Sequence, residues 1–244
     1  MKSPHPRPRN VLPSIEPTTI FAWSPRPGAK TLTLSEQVAE KIGSAIIQGH
    51  LVPGQRIQEQ DVADSIGVSR GPVREALRIL ERDGFVQINA RRGAQVTQLT
   101  PRGINDVFTM RIALLGLTAR LLAEQDDRAV IEGIRAKVDR LPDLAIRGSV
   151  DTYLNAIYEL NWLLADATGN HFLRNTLFSL VYLSLRYGRL GLVTEKSRVK
   201  SAKCWRTLLD LIERRRAKEA QQLAEEFFAG SRDRALSALR EASQ

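Results

Sequence analysis

The sequence predicts a mainly α protein: a small N-terminal domain of short helices closed by one β-hairpin, followed by an all-α helical bundle. Three observations carry that expectation. Apolar residues keep a helical period in three short stretches between Thr33 and Asp83, the period falls to two around a basic turn near Arg91, and from Thr100 onward only the helical period remains. Seven of the eleven prolines lie within the first 27 residues, where neither period survives, so residues 1–30 read as a flexible, partly extended arm. The expected organisation is therefore an arm at 1–30, a small mixed domain at 31–99 and a helical domain at 100–244.

The first helix starts near Thr33, with Ser35 as its candidate cap, and turns Val38, Ile42, Ile46 and Ile47 inward before Pro53-Gly54 stops it. A short second helix spans 59–66, with Val62, Ala63 and Ile66 inward and Gly67 as its C-terminal cap. Ser69 opens the third after a three-residue turn. Pro72 is tolerated there because first-turn NH groups have no intrahelical acceptor, and Val73, Ala76, Leu77 and Leu80 form its buried stripe. Phe85, Val86 and Ile88, then Val96, flank the tip Ala90-Arg91-Arg92-Gly93 as a two-stranded hairpin. Beyond Thr100 six helices are expected, at roughly 102–125, 127–140, 149–168, 171–190, 195–214 and 216–241, with Asp126-Asp127, Pro142, Gly169-Asn170 and Gly191 as punctuation.

Composition narrows the function classes. Lys and Arg number 36 against 27 Asp and Glu, a formal net charge of +9, which points to a polyanionic partner: nucleic acid first, an acidic membrane surface second. One cysteine, Cys204, excludes an intramolecular disulfide framework and a multi-cysteine zinc ribbon, and fits a reducing cytoplasm. No apolar run approaches the roughly 18 residues of a membrane span, and no apolar segment follows Lys2, Arg7 and Arg9 as in a secretory signal. Nucleophile-elbow, P-loop, HExxH and Rossmann patterns are absent, and Cys204 has no histidine near it in sequence, so no enzymatic activity is expected.

Two short helices joined by a tight Gly-containing turn and followed by a charged hairpin make a winged helix-turn-helix, whose second helix enters the major groove of DNA. Arg70, Arg74, Arg78 and Arg82 recur every four residues, opposite the Val73-Ala76-Leu77-Leu80 stripe. Such arginines reach guanine edges or clamp phosphates, whereas Ser69 and the first-turn NH groups suit phosphate. On an arbitrary helix the same row is a solvated face, with Glu75 and Glu81 neutralising part of it; its place between the turn and the Arg91-Arg92-Gly93 tip favours DNA. That tip is small and basic enough for a minor groove, or else an ordinary exposed turn.

The runs Pro53-Gly54-Gln55-Arg56-Ile57, Asp61-Val62-Ala63, Ile66-Gly67-Val68-Ser69-Arg70, Pro72-Val73-Arg74-Glu75-Ala76-Leu77 and Leu80-Glu81-Arg82-Asp83-Gly84 resemble the N-terminal domain of GntR-family transcription regulators, over Leu34 to Val96. The resemblance implies a DNA-binding repressor or activator, usually a homodimer on palindromic double-stranded operator DNA. By position, Arg70 and Arg74 match the family's base-contacting arginines, Ser69 and Arg56 its phosphate or positioning contacts, and Gly93 its wing glycine. Gln60 stands where many relatives carry Arg or Glu.

The helical half, with Met110-Arg111-Ile112-Ala113-Leu114 and Ala167-Thr168-Gly169-Asn170, resembles the FCD effector domain of the FadR subgroup. Many FCD domains hold a divalent metal with an Asp and three His. Counting from the Asn170 motif, and from the Leu208-Leu209, Leu211-Ile212 and Ala220 pattern, those positions fall at Ile157, Asn161, Trp205 and Phe227. Three of the four side chains offer no lone pair, so no metal is expected, and the effector site should be more apolar than in metal-binding relatives. Candidate effector contacts are Arg111, Tyr158, Asn161 and Arg186, with Trp205 nearer to core packing; each polar group, once buried, either meets a ligand or pairs between helices. The reading is a cytoplasmic regulator whose operator affinity responds to a small-molecule effector, an organic acid or related metabolite. The alternative is a constitutive DNA-binding protein whose helical half only dimerises.

Overall fold

In the computed structural model the described residues are 32–90, 93–125 and 127–241, and the chain divides into two compact units at Gln98/Leu99. The first unit opens with α1 (Leu34–Gln48). Its cap is Thr33 and not Ser35: the Thr33 hydroxyl accepts from the Glu36 NH while the Glu36 carboxylate accepts from the Thr33 NH at 2.7 Å. This reciprocal box satisfies two orphan donors where Ser35, already inside the first turn, satisfies neither. α2 (Glu59–Ile66) ends on Gly67, which adopts φ 77° and donates its NH to the Ala63 carbonyl, a left-handed cap that a Cβ would strain. α3 (Arg70–Arg82) follows directly.

The hairpin is β2 (Val86–Asn89) with β3 (Gly93–Val96), antiparallel, Asn89 opposite Gly93 and Val86 opposite Val96. A further strand, β1 (Arg56–Ile57), joins the other edge of β3, giving the order β1-β3-β2 with Arg56 opposite Gln95. Two residues show no periodicity, so sequence reading gives no sign of β1. Backbone bonds from Gly54 N to Val96 O and from Val96 N to Gln55 O fix it in place. Val38, Ile42, Val62, Val73, Leu77, Leu80 and Phe85 form the core beneath, all at most 5% exposed.

Among the described residues the second unit holds seven helices: α4 (Pro101–Glu124), α5 (Arg128–Val138), α6 (Leu141–Arg147), α7 (Val150–Ala167), α8 (His171–Leu190), α9 (Glu195–Glu213) and α10 (Ala217–Glu241). Six were expected. The extra one is α6: Pro142 does not merely break the chain but sits in the first turn of a new helix, where its missing NH costs nothing. Side-chain caps open α4, α5, α7, α8 and α9, from Thr100, Asp127, Ser149, Asn170 and Thr194. α4 and α10 approach closely at Gly116, where a Cβ would lie 2.6 Å from the Glu225 carboxylate. Arg198, on α9, is buried and donates to three backbone carbonyls, Ala145 O (3.0 Å), Leu192 O (3.2 Å) and Val193 O (2.9 Å), tying α6 and the α8–α9 connection to α9. Its own carbonyl accepts from the Tyr153 hydroxyl at 3.0 Å. Among the described residues no helix is long and apolar enough to cross a membrane.

Candidate nucleic-acid interface and buried arginine cluster

In the first unit, α3 buries Val73, Ala76, Leu77 and Leu80 and turns Arg70, Arg74, Arg78 and Arg82 outward. The four are not equivalent. Arg74 is gripped by Glu59 of α2, Nε to Oε1 at 3.2 Å and Nη2 to Oε2 at 2.9 Å, a two-pronged geometry that fixes the guanidinium plane. The Glu59 carboxylate raises the Arg74 pKa further above its ordinary value, so its charge is secure. Arg78 pairs with Glu75 and Arg82 with Asp83, whereas Arg70, in the first turn, has no carboxylate partner among the described residues. Glu81 is drawn away from the row, accepting from the Ile88 NH at 2.9 Å and so bracing the hairpin against α3.

Ser69 is the N-cap of α3, exposed, and its hydroxyl makes no capping bond, which leaves the helix N-terminus open toward an anion. Arg56 is exposed on β1, beside the central strand of the sheet. Gly93 takes φ 73° at the start of β3, a left-handed conformation that glycine adopts freely. Arg91 and Arg92 lie outside the described residues. Gln60 reaches back along α2, donating to Asp64 at 2.7 Å. Sequence reasoning missed Glu59; its signal was an acid one residue from the scrutinised Gln60, on the helix packed against α3.

In the second unit the sequence candidates separate into those that gather and those that do not. Arg111 of α4 is only 7% exposed; its Nη1 donates to the Ser184 hydroxyl of α8 at 3.0 Å, and its Nε has no hydrogen-bond partner. Its carbon Cζ lies 5.7 Å from the Phe108 ring centre and 5.4 Å from that of Phe228 on α10. Burial pulls its pKa down to about 10, with Tyr158 acting in the opposite direction, so it remains cationic at neutral pH. Tyr158 packs edge-on against Phe178. Asn161 donates to the Ile157 carbonyl at 2.8 Å while its Oδ1 is buried without a partner. Trp205, 1% exposed, meets Phe227 and Phe228 edge-on at 5.9 Å each, and its indole NH is likewise unpaired. The side chain of Arg186 lies outside what is described. Sequence reasoning missed Ser184, Phe108 and Phe228; of these only Phe108, one turn before Arg111, carried a signal.

A winged helix-turn-helix with an arginine-bearing second helix, joined to a unit with seven described helices, defines a two-part DNA-binding architecture. Residues 34–96 match the model of the bacterial regulatory proteins of the gntR family, and residues 106–230 match the FCD domain. The chain belongs to the GntR family, in its FCD-carrying FadR subgroup. It is 31% identical over 142 residues to the uncharacterised HTH-type transcriptional regulator YdhC of Bacillus subtilis, covering 58% of this chain and 63% of that protein. It is also 31% identical over 116 residues to a probable D-xylose utilisation operon transcriptional repressor of Paenarthrobacter nicotinovorans, covering 48% and 51%. The chain thus matches between half and two thirds of the length of these relatives. The crystal structure of a GntR transcriptional regulator from Rhodococcus sp. RHA1 superposes with TM-score 0.69 at 20% identity, covering 83% of this chain and 97% of that one, a likeness of fold.

The metal that many FCD domains hold does not fit these residues. Ile157 and Phe227 are hydrocarbon, the Trp205 indole NH is a donor only, and Asn161 Oδ1 is a single neutral oxygen. Among the described residues no three His, Cys, Asp or Glu side chains cluster as ligands would.

Proposed function

We propose that this chain is a cytoplasmic, sequence-specific DNA-binding transcription regulator, acting as a homodimer on palindromic double-stranded DNA, whose operator affinity is set by a small molecule held in the helical unit without a metal. The observation that carries the DNA reading is α3 itself. It has an open N-terminus at Ser69, Arg70 in the first turn with no carboxylate partner among the described residues, and Arg74 oriented by Glu59 on the same outward face. Arg70 and Arg74 read base edges; Ser69, Arg56, Arg91, Arg92 and Gly93 position the unit on phosphates and in the adjoining minor groove. A ligand regulates by its unequal affinity for two arrangements of the paired winged units, only one of which matches both half-sites. Typical couplings of this kind are about 1 to 3 kcal/mol.

The test is selection of binding sites from random duplex DNA by the full-length protein, followed by titration of the selected site and a scrambled duplex across a salt series. A palindromic consensus bound by two chains supports the reading. Equal affinity for selected and scrambled duplexes at every salt concentration sinks it.

A further inference from the structure

The connection between the two units is tied down on either side of a single residue. The Thr97 NH donates to the Phe85 carbonyl at 2.9 Å, prolonging the hairpin of the first unit by one bond. The Leu99 NH donates to the Tyr187 hydroxyl of α8 at 3.3 Å, within the second unit. Gln98, exposed, stands between them. Leu99 precedes Thr100, the N-cap of α4, and follows the end of β3, so neither helix nor sheet offers its NH an acceptor and a side chain supplies one. Tyr187 is 4% exposed, in a buried cluster with Ile104 and Phe108 of α4 and Ala235 of α10, against which Leu99 packs its own side chain. A phenylalanine would fill the ring's place in that cluster equally well; what distinguishes the tyrosine is the hydroxyl that meets Leu99. One turn earlier on α8, the Ser184 hydroxyl accepts from Arg111 of α4 at 3.0 Å, so this stretch of α8 is held to α4 by a polar contact as well as by packing.

We propose that Tyr187 is a positioning residue for DNA binding: its hydroxyl fixes the direction in which the chain leaves the helical unit, and with it the half-site spacing that a pair of winged units accepts. Apolar packing is non-directional and keeps the Leu99 side chain in its place, whereas the hydrogen bond orients the planar peptide between Gln98 and Leu99. With that plane held at one end and the Thr97 NH at the other, the soft dihedrals of the connection are those of Thr97 and Gln98; losing the bond adds those of Leu99. One more unfixed residue spans about 3.3 to 3.6 Å, close to the roughly 3.4 Å step between base pairs, which is enough to blur half-site spacing by one pair. Because the bond comes from α8, a shift of that helix within the helical unit re-aims the connection. The inference rests on the reading of the chain as a dimer on a palindrome, and adds the residue that sets the spacing.

Full-length wild type and Tyr187→Phe are compared by fluorescence anisotropy on three duplexes: the selected palindrome, the same palindrome with one base pair inserted between its half-sites, and a single half-site. The variant melts within about 4 °C of the wild type and binds the single half-site equally well. On the palindrome it binds roughly three- to tenfold more weakly, the factor carried by one hydrogen bond. The inserted base pair weakens the wild type at least about tenfold and the variant no more than about threefold, since a loosened connection follows the displaced half-site. A merely structural role for Tyr187 would lower the melting temperature or all three affinities together and leave the insertion penalty as it is. Two measurements serve should Tyr187→Phe fail to fold. Two glycines inserted after Gln98, which leave the helical unit untouched, relax the insertion penalty in the same way, and in the wild type the Leu99 amide exchanges with solvent at least about tenfold more slowly than that of Gln98. The proposal is overturned by an unchanged insertion penalty in the variant, by equal weakening on palindrome and half-site, or by a Leu99 amide that exchanges as fast as its neighbour. A selected site with no second half-site sinks the dimeric reading and the spacing role together, whereas a palindrome with an unchanged penalty leaves that reading standing and removes Tyr187 from it.

Discussion

Glu59 and Arg74 face each other across the turn between α2 and α3, both carboxylate oxygens of the one accepting from two nitrogens of the other. Their side chains are 32% and 59% exposed, so the bridge adds little to stability, about 0 to 1 kcal/mol. What it fixes is direction: the Arg74 head is held in one plane on the outward face of α3. Glu59→Gln is expected to leave the melting temperature nearly unchanged while raising affinity for random duplex and steepening the salt dependence, because an anion on the proposed DNA-facing surface is gone. Discrimination between selected site and random duplex falls at the same time. A salt series on wild type and variant measures both; identical slopes would show that Arg74 stays away from DNA.

Arg70→Ala and Arg74→Ala separate base reading from phosphate binding. Each is expected to cost about 1 to 3 kcal/mol on the selected site and much less on scrambled duplex. Arg56→Ala should weaken both duplexes alike and lower the salt slope by about one. Fluorescence anisotropy with the two duplexes distinguishes the patterns.

Arg198→Met removes the donor of three carbonyl contacts and leaves buried acceptors unpaired. The helical unit should lose roughly 3 kcal/mol. Urea denaturation followed by circular dichroism tests this; a loss below about 1 kcal/mol would show that water or neighbouring groups replace the guanidinium.

Glu40, on α1, has its carboxyl pushed up from 4.5 to about 7 by burial. The folded chain therefore holds this proton at pH values where the unfolded chain has released it. The first unit loses stability from this group as pH climbs from 4.5 to about 7, and no further above that. Glu40→Gln keeps the hydrogen-bonding shape without the charge, so its advantage in melting temperature should be near zero at the acid end, grow through neutrality and level off. Paired thermal melts between pH 4.5 and 8 check the trend; a constant offset would place the carboxyl in water.

Which of these features could be read from the sequence follows from how local each one is. The helix-turn-helix was legible because Gly67, Ser69 and the Val73-Ala76-Leu77-Leu80 stripe are signals carried within a few residues, and α2 and α3 follow them. β1 was not, since two residues become a strand only when β3 supplies the partner. α6 was hidden by Pro142, whose meaning reverses between the interior and the first turn of a helix. The α1 cap moved from Ser35 to Thr33 because the choice depended on Glu36 reaching back, which the spacing Thr33-x-x-Glu36 permitted all along. Arg111 stood out as a charge on an apolar helix, yet its partner Ser184 is 73 residues away, a pairing that no window along the chain can reveal.

The place of β3 between β1 and β2 has a mechanical side. Through backbone bonds on both edges, one strand holds β2 and the segment bearing Arg56, so the three strands travel as a single stiff plate. On the proposed reading, Arg56 against the DNA backbone would set the depth and tilt at which the sheet meets the groove. A substitution that merely unzips Arg56–Ile57 from β3 would remove none of the side chains proposed to contact DNA and still blunt the grip, by turning one rigid key into two loose ones.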